Sequence, residues 1–206
     1  METAENIVRQ TGKSECFSGG KITGDSKSGY AAIADWGLSF LPSVTPALAA
    51  DLGGNAGKNA GKLLKRYPNS RIIAVKQFEH DEIKAKEYKQ KKNAAGRNAL
   101  QKRDVTGMKI RTGSIDLVTA FETGSFWPGP EKRFAWIHRF LKPGGYFLIC
   151  GETDRFHIPG TATDNTDGMR RHTAEEIIKA LHAAGFLIVQ CYHHIKKPWL
   201  AVIARQ

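Results

Sequence analysis

The chain is predicted to fold as an α/β protein, with a doubly wound, mostly parallel sheet of seven strands that ends in an antiparallel hairpin. Three observations predict it. Short apolar runs alternate with helix-like stretches along most of the chain, the pattern of strands joined by right-handed helical crossovers. A glycine-rich turn, "DLGGNAGKNAGKLL" from Asp51 to Leu64, stands where the first of these runs gives way to a helix. The last two apolar runs, "FLIVQCYHH" and "PWLAVIARQ", are separated by too few residues for a crossover, which leaves a hairpin.

The first ~25 residues are rich in Gly, Ser and Lys without a sustained apolar period, and residues 1–25 are expected to form a flexible arm ahead of a single domain at 26–206. "YAAIADWGLSFL", Tyr30 to Leu41, carries Ile33, Trp36, Leu38 and Leu41 at helical spacing and is stopped by Pro42. "ALAADLGG" is the first strand, and "AGKNAGKLLKRY" continues as a helix that ends near Pro68. "RIIAVKQF" is too short for a helix and reads as the second strand, followed by the helix-like "EHDEIKAKEYKQKK". "NALQKRDV" is a weaker third strand, whereas "SIDLVTAFET", Ser114 to Thr123, is bounded by turn residues and reads as a buried fourth. "PEKRFAWIHRFL" starts on a proline, repeats its apolar residues at helical spacing and ends at "KPGG". "YFLIC" is the fifth strand, and "TAEEIIKALHAAG" is a helix with Thr173 as N-cap, Glu176 closing a capping box and Gly185 as stop.

At 206 residues, with 41% hydrophobic and 25% charged, the composition is that of an ordinary globular domain. No window reaches the ~18 consecutive apolar residues of a membrane span, and "METAENIVRQ" lacks the basic-then-apolar order of a secretory signal, so a cytoplasmic location is expected. Cys16, Cys150 and Cys191 lie far apart and read as buried thiols rather than a disulfide framework. The net charge of +11 admits nucleic acid as a partner, but much of the excess falls in "KAKEYKQKKNAAGR", Lys84 to Arg97. Its one aromatic residue, Tyr88, does not make a spaced stacking platform, so a solvated helix face explains it better.

The glycine turn is the candidate ligand site, and counting positions removes two identities. A P-loop ending at Gly57-Lys58 needs glycine at Leu52, one ending at Gly61-Lys62 needs it at Ala56, and the hydroxyl is missing at Asn59 and Leu63. The fingerprint G-x-G-x-x-G, started at Gly53, needs glycine at Asn55 and Lys58. D/E-x-G-x-G-x-G fits better: "DLGGNAG" supplies Asp51, Gly53 and Gly57, with Asn55 in the middle, the residue best able to replace glycine at positive φ.

That pattern, followed by "SIDLVTAFETGSFWP", "FLKPGGYFLI", "TAEEIIKALHAAGF" and "KKPWLAVIAR" in order, resembles the class I S-adenosylmethionine-dependent methyltransferases from about Tyr30 onward. The resemblance implies a Rossmann-like methyltransferase fold, S-adenosylmethionine as cofactor and S-adenosylhomocysteine as product. It implies that Asp51, Gly53, Asn55 and Gly57 form the turn beside the methionine part, that position 76 takes the ribose hydroxyls, and that Asp104 faces the adenine amine. Position 76 is Lys76, whose ammonium cannot accept two hydroxyl hydrogen bonds and adds positive charge beside a sulfonium. Glu79, three residues on, is the nearest acid able to take that role, against the plainer reading of a first-turn carboxylate.

Methyl transfer asks mainly for alignment, so no universal base is readable. The catalytic candidates are Glu122 after the fourth strand, His157 after the fifth and Tyr30 ahead of the pocket; Glu122 is also a candidate cofactor contact. Trp127 reads as packing at the pocket mouth, and His193 with His194, lacking two further ligands nearby, gives no metal site. The expected function is methyl transfer to a small-molecule acceptor. The alternatives are a fold-retaining binding protein with a degraded cofactor site, and an RNA-directed methyltransferase; oligomeric state is not legible.

Overall fold

The computed structural model describes residues 16–18, 29–52, 58–75, 98–101, 110–121, 129–152 and 172–206. Its strands are β1 (Cys16–Ser18), β2 (Leu48–Leu52), β3 (Arg71–Val75), β4 (Asn98–Gln101), β5 (Ile115–Phe121), β6 (Leu141–Glu152), β7 (Ile188–His193) and β8 (Trp199–Arg205). The helices are α1 (Gly29–Leu38), α2 (Lys58–Arg66), α3 (Pro130–Phe140) and α4 (Ala174–Ala183). The helix expected in "EHDEIKAKEYKQKK" lies outside the described residues.

The strands form one sheet in the order β1-β7-β8-β6-β5-β2-β3-β4. All pairs are parallel except those of β8, which runs antiparallel to both β6 and β7. The alternation of elements and the closing hairpin are therefore as the sequence implies. The eighth strand is the difference. Cys16–Ser18, within the stretch expected as a flexible arm, pairs with Cys191–His193 at the edge of the sheet. Three residues are too few to display a period of two, so nothing in their pattern announces a strand.

A second difference concerns "KPGG". It does not separate helix from strand: α3 ends at Phe140 and β6 begins at Leu141, running through these residues to Glu152. The pairing with β5 slips there, from Ile115↔Leu141 to Leu117↔Tyr146. Gly144, at φ 77°, supplies the left-handed residue that this bulge needs. Asp116 pins the irregularity, its carboxylate accepting from Lys142 Nζ at 2.6 Å and from the Leu48 amide at 2.8 Å.

Helices cover both faces of the sheet, as its parallel strands require. On one side Phe134 and Ile137 of α3, with Ile177 and Leu181 of α4, pack against Val118, Ala120, Phe147 and Val202. On the other, Ile33 and Trp36 of α1 and Leu63 of α2 pack against Leu117, Phe121, Leu148 and Ala201. Thr173 caps α4 in a full capping box with Glu176, and Gly185 follows it at φ 100°. No helix among the described residues is long and apolar enough to cross a membrane.

Candidate active site

In strand β2 the residues alternate between the two cores: Ala50 and Leu52 join the α3/α4 side, Ala49 the α1/α2 side. Asp51 shares the face of Ala49, although its neighbours in the strand are apolar. From β2 the chain crosses to β3 and β4 on one side, while β5 lies on the other. The β2/β5 junction is thus the point where the crossover direction reverses, the place where open α/β sheets bind ligands beyond their carboxyl ends. Asp51 and Thr119 face each other in register across that junction.

Both are buried, Asp51 at 3% exposure and Thr119 at 0%, and Thr119 Oγ1 donates to Asp51 Oδ1 at 3.0 Å. Burial pushes the Asp51 carboxyl up to about 7 from 3.8, with the Thr119 hydrogen bond acting in the opposite direction. The pair ties the ends of β2 and β5 together one residue before β2 finishes at Leu52, which directly precedes Gly53 in sequence. Thr119 was absent from the sequence-based set of candidates. Its signal is faint: one hydroxyl inside the apolar run "IDLVTAF", matching one carboxylate inside "LAADL".

Across the sheet, Glu152 ends β6 and lies in register with Trp199, the first residue of β8. Trp199 packs at 5.0 Å from the His194 ring and 5.9 Å from Trp36, and Lys197 Nζ lies 4.1 Å above its indole. His194 Nδ1 accepts from the amides of Lys196 and Lys197, so this buried histidine braces the hairpin loop. On the same face Cys150, a buried thiol, donates to the Ile33 carbonyl of α1 at 3.1 Å. Cys191 is likewise buried.

Of the candidates, the structure places Asp51 at the carboxyl end of β2 and Tyr30 as the second residue of α1. Gly53, Asn55, Gly57, Lys76, Glu79, Asp104, Glu122 and His157 lie outside the described residues, as does Trp127. In sequence, Lys76 follows the last residue of β3 and Glu122 follows the last residue of β5. The strands that carry these positions therefore end at the same edge as Asp51.

Comparison with known proteins agrees with this arrangement. Residues 50–149 match the model of a family described as a methyltransferase domain. No curated protein is a significant match to the sequence. Among solved structures, an S-adenosylmethionine-dependent methyltransferase from Mesorhizobium loti superposes with TM-score 0.66 at 17% identity, over 86% of this chain and 100% of that one. The 1,6-didemethyltoxoflavin-N1-methyltransferase of Burkholderia thailandensis gives TM-score 0.63 at 22% identity, over 86% and 76% of the two chains. The [4+2]-cyclase SpnF gives TM-score 0.69 at 15% identity, over 85% and 80%. The switch-point sheet with its inserted antiparallel strand is thus the fold of solved S-adenosylmethionine-dependent methyltransferases, and residues 50–149, from β2 into β6, match a methyltransferase domain.

Proposed function

We propose that this protein transfers a methyl group from S-adenosylmethionine to a small-molecule acceptor by holding the two in line. The observation that carries the reading is the buried Asp51–Thr119 pair at the β2/β5 junction, directly ahead of the "GGNAG" turn. The cofactor fits this site, because the acid at the head of the turn is already bonded and desolvated, a rigid base for backbone contacts to a ligand. When bound, S-adenosylmethionine supplies an electrophilic methyl on a sulfonium. Gly53, Asn55 and Gly57 would hold its methionine part, Glu79 would take the ribose hydroxyls in place of Lys76, and Asp104 would accept from the adenine amine. Glu122, His157 and Tyr30 orient the acceptor or take its proton. A small acceptor is supported by the likeness to the Burkholderia enzyme, whose name states one.

A second reading is favoured by Lys76, a cation where the family pattern has an acid. There the fold persists as a binding protein without transfer, and the likeness to a cyclase shows that this fold is not confined to methyltransferases. Calorimetry with S-adenosylmethionine and S-adenosylhomocysteine separates the two. Micromolar binding of both is expected, and no heat at millimolar ligand would reject the proposal. Lys76→Asp is expected to tighten binding about tenfold, equivalent to ~1.4 kcal/mol; unchanged or weaker binding would mean that Lys76 has a ligand contact of its own or that the acid's role has moved, as to Glu79. An RNA acceptor requires affinity that falls steeply with salt, and a flat response removes it.

A further inference from the structure

Helix α1 stops at Leu38, where the Ser39 hydroxyl turns back to the Trp36 carbonyl and Pro42 soon follows. It therefore covers β6 and β8 but leaves part of the sheet beyond its end uncovered among the described residues. There Ile188, Gln190 and Tyr192 of β7 line the same face, their neighbours Val189 and Cys191 belonging to the opposite core. The result is a groove of about 340 Å³, floored by Ile203 and walled by Phe40, Tyr146 and Tyr192. That volume falls at the small end of ligand pockets, roughly 300–1,000 Å³.

Its chemistry is specific. Phe40 and Tyr192 stack at 4.1 Å with their rings 13° apart, giving a flat aromatic wall. Arg205 lines the groove in the same row as Tyr146 and Ile188, with its guanidinium 5.7 Å from the Tyr146 ring centre. Gly144 makes room for it, since a Cβ there would meet Arg205 Nη2 at 3.2 Å. Arg205 has no carboxylate partner among the described residues, and Gln190 adds an amide beside it. Burial, and secondarily the neighbouring Cys191, raises the Tyr192 hydroxyl above its ordinary value, so it remains a donor at neutral pH. A guanidinium is built to hold a carboxylate by two parallel hydrogen bonds, and planar rings favour a planar guest.

We propose that this groove is a second ligand site, selective for a small planar aromatic carboxylate. The net charge of +11 draws such anions to the surface. Gln190 lies four strands across the sheet from Asp51, roughly 19 Å at ~4.8 Å per strand, with α1 packed between them. The site is independent of cofactor binding.

The test is calorimetry and chemical-shift mapping on the full chain with 1-naphthoate, against its neutral analogue 1-naphthamide. Saturable one-to-one binding of naphthoate is expected, with shifts at Phe40, Ile188 and Tyr192. The amide should bind about tenfold more weakly. Arg205→Gln should erase that preference, and Gln190→Trp should block both probes by filling the groove; circular dichroism verifies that each variant is folded. Saturating S-adenosylmethionine should leave naphthoate affinity unchanged. Equal affinity for acid and amide, no loss in either folded variant, or displacement by S-adenosylmethionine would overturn the proposal. So would a second copy of the chain in the groove, seen as concentration-dependent mass in sedimentation that Arg205→Gln abolishes.

Discussion

Asp51 carries a thermodynamic signature that can be measured apart from any activity. Its carboxyl titrates at about 7 when folded and at 3.8 when exposed, so between these values the folded state holds a proton that the unfolded chain has lost. The associated stability is fully present below pH 4, falls as pH rises and is gone above about 7, a change on the order of 4 kcal/mol. Asp51→Asn removes the titration. In urea melts from pH 4 to 8, the stability of the variant minus that of the wild type should rise with pH by several kcal/mol; a flat difference would show that the carboxyl is not titrating there. The acid itself was legible, because an aspartate ahead of spaced glycines is a local pattern. Its partner was not, since Thr119 lies 68 residues away and only the parallel register brings the two together.

At the scale of elements, α1 lies so close to the sheet that a Cβ on Gly37 would meet Cys150 Sγ at 2.5 Å and Cβ at 2.9 Å. Alanine is the better helix former by about 1 kcal/mol, yet the contact reverses that preference. Gly37→Ala should destabilise the fold by about 1–3 kcal/mol. The penalty should shrink in a Cys150→Ala background, where the sulfur is gone but the Cβ remains; a double-mutant cycle in denaturant measures the coupling. The α4 capping box offers a simpler expectation, a loss of about 1 kcal/mol for Thr173→Ala by the same melts. The two elements also mark how far sequence carries. Thr173 and Glu176 speak to each other over three residues, so their motif is complete in the string. The bulge at "KPGG" and the strand Cys16–Ser18 are defined by partners far along the chain, Asp116 and Cys191, and no local period encodes them.

For the whole molecule, the sheet order predicts a gradient of opening. β5 and β6 are paired on both sides in the middle of the sheet, whereas β1 and β4 are its edges. Amide exchange should be slowest in β5 and β6 and fastest in β1 and β4, and comparable rates across the sheet would mean that it opens only as one unit. The order of elements and the fold class could be read from alternation and spacing. The acceptor could not, because recognition rests on loops whose shape no periodicity specifies.

The place of β8 has a consequence for the chain as it is made. A ribosome delivers β6 and β7 before β8, which must enter between them and bond to both. Until then the nascent chain holds two incomplete pieces, each ending in an unpaired strand. A product interrupted before Trp199 keeps both of those edges open, an invitation to mispairing and to proteolysis. Pairing of β8 closes both of those edges at once.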